Sequence, residues 1–182
     1  MPLHYLLILA LIQGVTEFMP VSSSGHLVLV HTGLGGDAAG GHTQDRMLDV
    51  AVHVGTLIAA LIYFRRDIYT MLGYVRRMRR ADSDDPGRRL LAFIVIASLP
   101  VIIAGFIVHM ADPVWLRSLE VVAWTTLIFG IVLWVCDHYA PGDKNLSALT
   151  WRSAFMIGAA QTLALIPGTS RAGITMSAGR AL

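Results

Sequence analysis

The sequence predicts an all-α polytopic membrane protein: an inverted-topology repeat with two re-entrant helix-loop-helix hairpins plus full transmembrane helices. Three observations carry this. The 182 residues are 55% hydrophobic and only 14% charged, with a mean hydropathy of +0.62, an unusual balance for a soluble domain. The charge is segregated: eight of the 14 Lys and Arg lie between Arg65 and Arg89, the pattern of an integral membrane protein with one basic loop. Two apolar segments, each too short to cross the hydrocarbon, are interrupted by a proline followed by a serine. A net charge of +2 confined in this way gives no reason to expect a nucleic-acid partner, and a homodimer is left open. One cysteine, Cys136, in an apolar run excludes an intrachain disulfide and reads as an inert buried thiol.

The first hairpin is expected over residues 5–30. "LLILALI" has the length of a signal-peptide core. No Lys or Arg precedes it, however, and no small-x-small site follows. A helix from Tyr5 to Phe18 breaks at Met19-Pro20, because proline cannot continue the hydrogen-bond ladder. Ser22, Ser23 and Ser24 are then placed to cap a short helix running to about Val30. A Gly-rich polar loop occupies 31–46. Residues 48–64 make a full span, with Gly55, Ala59 and Ala60 offering a small face for helix packing.

Residues 65–89 read as a cytoplasmic basic loop, eight Arg against four Asp. An interfacial helix within it would turn Ile68, Met71, Leu72 and Val75 to the bilayer. Residues 90–110 span again, with Pro100 a site for a kink. Residues 119–136 form the next span. The second hairpin is expected over 152–182, interrupted at "PGTSRAG". Trp115 and Trp151 suit interfacial anchors. With 65–89 in the cytoplasm, the first hairpin enters from outside and the second from inside.

The two interruptions resemble each other. Gln13 and Gln161 stand in apolar helices before Pro20 and Pro167, and Ser23 and Ser170 each lie three residues past their proline. Broken hairpins entering from opposite faces bring their tips together near the midplane and build a site there.

The chemistry gathers at those tips. Glu17 shares a helix face with Gln13, and an ionisable residue at such depth is a functional hypothesis by default. Arg171 follows Pro-Gly-Thr-Ser at the start of a helix, where backbone N–H groups and an Arg fork favour phosphate. A carboxylate for Mg²⁺ or for base work, a hydroxyl, an imidazole and an Arg suit phosphate-ester hydrolysis. Ser23 would be a nucleophile if His26 or Glu17 takes its proton; alternatively it binds phosphate while water attacks. The serines serve equally as helix caps. His4, His31, His42, His109 and His138 read as tail, loop or span-end residues. His53, four after Asp49, is placed to pair with it or to help at the site mouth.

"QGVTEFMPVSSSGHL" and "PGTSRAG" closely resemble the two signatures of the undecaprenyl-diphosphate phosphatases, the bacitracin-resistance protein family. "LDVAVHVGTLIAALIYFRRD" and "WRSAFMIGAAQTLALIPG" resemble its intervening segments. The resemblance implies a bacterial inner-membrane enzyme with an active site facing the periplasm. It would convert undecaprenyl diphosphate to undecaprenyl phosphate and inorganic phosphate, recycling the lipid carrier for cell-wall synthesis. It would depend on a divalent cation, Mg²⁺ or else Ca²⁺. Carried over residue by residue, Glu17, Ser23, His26 and Arg171 are the candidate catalytic groups. Ser22, Ser24, Gly168, Thr169, Ser170 and Arg171 are the candidate phosphate-binding groups, and Gln13 and Glu17 the candidate metal ligands. Where the family usually reads Ser-Arg-Ser-Gly, this sequence has Ala172 in place of the second Ser. The family also continues through several more spans beyond the second motif, so a fragment with an incomplete second repeat is expected.

The type-2 phosphatidic acid phosphatases need a His six residues after their Arg, and Ser177 stands there. A transporter or lipid flippase would share the inverted broken hairpins, and an inactive fragment of the phosphatase is the third reading.

Overall fold

The computed structural model describes residues 3–33, 43–77, 86–140 and 149–182. Among these residues the chain is helical throughout, with no strand. The helices are α1 (Leu3–Thr16), α2 (Ser23–Gly33), α3 (Thr43–Tyr63), α4 (Arg65–Arg77), α5 (Pro86–Ala111), α6 (Leu119–Tyr139), α7 (Trp151–Gln161) and α8 (Arg171–Ala181). One-turn 3₁₀ helices, Val114–Arg117 and Thr162–Leu165, lead into α6 and follow α7. The expected loop at 31–46, the middle of the basic loop and most of 137–150 fall outside the described residues, and His42 with them.

Among the described residues two helices are long and apolar enough to cross a membrane, Gly87–Ala111 and Leu119–Tyr139. At 1.5 Å per residue the 25-residue α5 stretch reaches about 37 Å, more than the ~30 Å of hydrocarbon. Helix α5 continues through Pro100. Ser118 sets the start of α6, its hydroxyl accepting from the Glu120 amide at 3.2 Å. Expected as a full span, α3 qualifies only together with α4: Met47–Tyr63 and Arg65–Val75 bend by 72° at Phe64. Its small face is not a packing seam, since Gly55 has nothing within 4 Å of a Cβ position and Ala59 is exposed.

Helix α4 forms where an amphipathic helix was expected and packs on α5. The division of its faces differs in detail: Ile68 and Met71 are half-buried and Tyr74 is buried, while Leu72 and Val75 are exposed.

The packing makes two groups. Helix α1 packs on α2 and α3, and α7 packs on α5 and α8 while α8 also lies along α6. Gly158 allows α7 to cross α5 closely; a Cβ there would stand 2.3 Å from the Ala97 carbonyl oxygen. The internal core is thin, built around Leu9, Leu27, Phe93, Val122, Ala154 and Ile174. Outward, α5 and α6 show Ile102, Ile103, Phe106, Leu127, Ile131 and Trp134, all at least half exposed. Such a continuous apolar exterior belongs against lipid rather than water.

Candidate active site

The first tip is shaped by one proline and one cap. The ladder of α1 ends after the Glu17 amide bonds the Gln13 carbonyl at 3.0 Å, and Met19-Pro20 turns the chain. Ser22 is the N-cap of α2, its hydroxyl accepting from the Gly25 amide at 3.1 Å. Ser23, the first helical residue, then reaches back across the turn. Its Oγ donates to Glu17 Oε2 at 2.7 Å, and Gln13 Nε2 donates to the same oxygen at 2.9 Å. Two donors on one oxygen fix the carboxylate, and Oε1 accepts from no described residue. Gln13 itself is fully buried and its Oε1 has no partner among the described residues.

The second tip is held from outside. Pro167 and Gly168 make the turn, with Gly168 at φ +91°. On α6, Thr125 donates to the Pro167 carbonyl at 2.5 Å, and Thr126 shares its proton between the Val122 carbonyl at 2.8 Å and that of Gly168 at 3.1 Å. A Cβ on Gly168 would meet Thr125 Oγ1 at 2.1 Å and the Val122 carbonyl oxygen at 2.5 Å. Only glycine satisfies both the dihedral and the space. Ser170 caps α8, accepting from the Gly173 amide at 3.1 Å.

These caps set the register of the repeat. Ser22 and Ser170 are 148 apart, as are Gln13 and Gln161 and the bonded glycines Gly25 and Gly173. Counting from the prolines pairs Ser23 with Ser170 instead. The capping geometry overrides that count, because Pro20 precedes its cap by two residues and Pro167 by three. In the structural register Ser23 corresponds to Arg171, each the first residue of its helix.

The tips meet. A Cβ on Gly173 would lie 3.3 Å from the Pro20 carbonyl oxygen. Between them is a cavity of about 250 Å³, lined by Glu17, by Ser22, Ser23 and Ser24, and by Thr169, Ser170, Arg171 and Ala172. The cap and first two residues of both α2 and α8 therefore open on one space, with two positive helix ends and their N–H groups. Thr169 is 5% exposed and its Oγ1 has no partner among the described residues, an unmet hydroxyl in the cavity wall. The Arg171 guanidinium is exposed and makes no hydrogen bond or ion pair among the described residues. This electrostatic arrangement favours an anion with several oxygens.

Three expected residues stand elsewhere. Gly168 does not line the cavity; it is buried against α6 and shapes the turn. Gln13 lies behind Glu17 and orients it rather than facing the cavity. His26 is also off the lining, with Nδ1 donating to the Ser22 carbonyl at 2.7 Å, so it supports the cap turn instead of meeting Ser23. Conversely, His53 of α3 does line the cavity, its Nε2 3.9 Å from Glu17 Oε2. Its expected partner is met through the backbone: Nδ1 donates to the Asp49 carbonyl at 2.6 Å. Sequence reasoning missed His31, which is a buried member of α2 rather than a loop residue, and the pair Thr125-Thr126. Two adjacent threonines inside an apolar span were the available signal.

Among the described residues no three His, Cys, Asp or Glu side chains form a metal-binding cluster. What the cavity offers a cation is one carboxylate whose second oxygen accepts from no described residue. That matches the habit of Mg²⁺, which takes one or two carboxylates and completes its shell with water and substrate phosphate.

An apolar helical exterior enclosing a polar cavity at two interrupted tips defines a polytopic membrane protein with a hydrophilic site in its interior. The chain belongs to the bacitracin resistance protein BacA family, whose model matches residues 6–182. It is 45% identical over its whole length to the undecaprenyl-diphosphatase of Dinoroseobacter shibae and 43% identical to that of Ruegeria pomeroyi, covering 67% of each. It is 43% identical to undecaprenyl-diphosphatase 1 of Pseudoalteromonas translucida, over 96% of this chain and 64% of that protein. The chain thus spans about two thirds of the length of these relatives.

Proposed function

We propose that the protein hydrolyses undecaprenyl diphosphate to undecaprenyl phosphate and inorganic phosphate. The observation that carries the mechanism is the 2.7 Å hydrogen bond from Ser23 to Glu17 inside the shared cavity. A serine hydroxyl is a weak nucleophile until a base takes its proton. Glu17 is already in contact with that proton, and His26 is turned away, so the carboxylate is the base.

In this reading Arg171, Thr169, Ser170 and the N–H groups of α2 and α8 hold the terminal phosphate. Ser23 Oγ attacks its phosphorus as the proton passes to Glu17. The bond to the bridging oxygen breaks, and undecaprenyl phosphate leaves with that oxygen. Water then attacks the phosphoserine as Glu17 returns its proton to the departing Ser23 Oγ, and phosphate leaves carrying the water's oxygen and protons. Charge developing on the phosphoryl oxygens is met by fixed donors, the largest single contribution in such sites. Glu17 Oε1 and the substrate phosphates would hold a divalent cation, Mg²⁺ or Ca²⁺; when bound, it neutralises phosphate charge.

The arginines between 65 and 89 support a cytoplasmic placement of that segment and, with it, a cavity opening to the periplasmic face of the inner membrane. Regeneration of the carrier lipid for peptidoglycan synthesis, and resistance to bacitracin, follow from that activity. The experiment is phosphate release from undecaprenyl diphosphate by the purified chain in detergent, with Mg²⁺ and with EDTA. Metal-dependent release that disappears in Glu17→Gln and Arg171→Ala is expected. No release by the chain, or release indifferent to both substitutions, overturns the reading.

A further inference from the structure

A polar chain with a buried histidine at its centre joins the first three helices away from the cavity. His31 of α2 is 2% exposed. Its Nε2 lies 2.9 Å from Asp49 Oδ1 of α3, and its Nδ1 is hydrogen-bonded to the Tyr5 hydroxyl of α1. A carboxylate oxygen accepts, so Nε2 is the donor to Asp49, while Nδ1 shares a hydrogen bond with the Tyr5 hydroxyl. His31 therefore bridges Tyr5 of α1 and Asp49 of α3. One turn along α3, His53 donates to the Asp49 backbone carbonyl and presents Nε2 toward Glu17. The residue that receives the bond from His31 thus also anchors the histidine that α3 contributes to the cavity.

The surroundings make this a register device. Leu9 and Leu27 are the apolar core of the trio, and apolar contacts tolerate sliding because they are not directional. A one-residue slip of α3 turns it by about 100° and moves it about 1.5 Å. Leucines can repack after such a slip. A directional His–Asp bond cannot, because its loss strands the buried imidazole of His31 away from water. Helices α1 and α2 flank the tip that carries Glu17 and Ser23, whereas His53 comes from α3.

We infer that Tyr5, His31 and Asp49 are positioning residues for the phosphatase reaction, locking α3 to the first hairpin in the register that keeps His53 facing Glu17. The kinetic half of the inference rests on the phosphatase reading, and the register half does not.

The test compares Tyr5→Phe, Asp49→Ala and Asp49→Asn in the full chain. Tyr5→Phe and Asp49→Ala lower kcat about 10- to 100-fold, the range expected for a displaced catalytic geometry. KM stays within about twofold, because the phosphate-gripping groups of α8 are untouched. Asp49→Asn recovers most of kcat, since its carboxamide oxygen still accepts from His31. Spin labels at Leu7→Cys and Met47→Cys, both exposed, in a Cys136→Ser background read the α1–α3 distance directly. The distribution shifts or broadens in Asp49→Ala and returns in Asp49→Asn. An unchanged distribution in Asp49→Ala overturns the register half. A rise in KM with kcat intact, or failure of Asp49→Asn to recover kcat, overturns the positioning role. A wild-type chain that releases no phosphate removes the phosphatase reading and the kinetic half with it, while the spin-label distances still decide the register.

Discussion

Ser23 Oγ donates a 2.7 Å hydrogen bond to Oε2 of Glu17, six residues earlier and across the Met19-Pro20 turn. The bond couples the end of one helix to the start of the next and places a hydroxyl and its base in one cavity wall. If this couple performs the first step, Ser23→Ala and Glu17→Gln each lower kcat by about 10²–10⁴-fold. The double variant is scarcely slower than either single one, because the two act as a unit. Steady-state kinetics on the three proteins checks this. Full additivity of the two losses would separate the residues into independent roles.

Thr169 sets up an asymmetric expectation. Its buried hydroxyl has no partner among the described residues, so Thr169→Val removes a polar group that makes no hydrogen bond to them. The variant melts at or above the wild-type temperature, yet binds substrate about 10- to 100-fold more weakly, the equivalent of one charge-assisted hydrogen bond. A thermal melt and a KM measurement on one preparation test both halves. Loss of stability with unchanged KM would place the hydroxyl's partner inside the protein.

Gly168 is predicted to be intolerant for structural reasons. Gly168→Ala adds a left-handed backbone penalty of about 1–2 kcal/mol and a clash with Thr125 and Val122 worth about 1–3 kcal/mol more. Gly179→Ala, where a Cβ meets nothing within 4 Å, is the control and leaves the melting temperature unchanged or slightly raised. Comparable melts for the two variants would refute the packing argument.

Arg171→Lys distinguishes a fork from a point charge. Lysine retains the charge but cannot present two parallel N–H groups to phosphate oxygens. Activity falls at least about tenfold, while the fold is untouched because the guanidinium bonds to no described residue. Near-wild-type kcat/KM in Arg171→Lys would reduce Arg171 to an electrostatic attractor.

Much of this architecture was legible because lipid imposes coarse rules. The runs ending in α5 and α6 announce their length and apolarity residue by residue. Pro20 and Pro167 announce the breaks, since neither can donate to a helix ladder. The register of the repeat was less legible: counting from prolines paired Ser23 with Ser170, whereas hydrogen bonds to Gly25 and Gly173 pair Ser22 with Ser170. His26 read as a partner for Ser23 because three residues share a helix face. The backbone carbonyl of Ser22 competed for its Nδ1, and a local bond of 2.7 Å is formed there instead.

The sequence by itself determined the membrane class, the two interruptions and the family signature, because composition, proline and motif spacing are local properties of the chain. Only the tertiary structure decided that α2 and α8 open on one cavity, that Thr125 and Thr126 clasp the second turn, and that His31 is a buried link between α1 and α3. Each of these joins residues far apart in the chain. Such contacts exist because buried polar groups must find partners, and the packing of helices, not their sequence spacing, determines which partners are in reach.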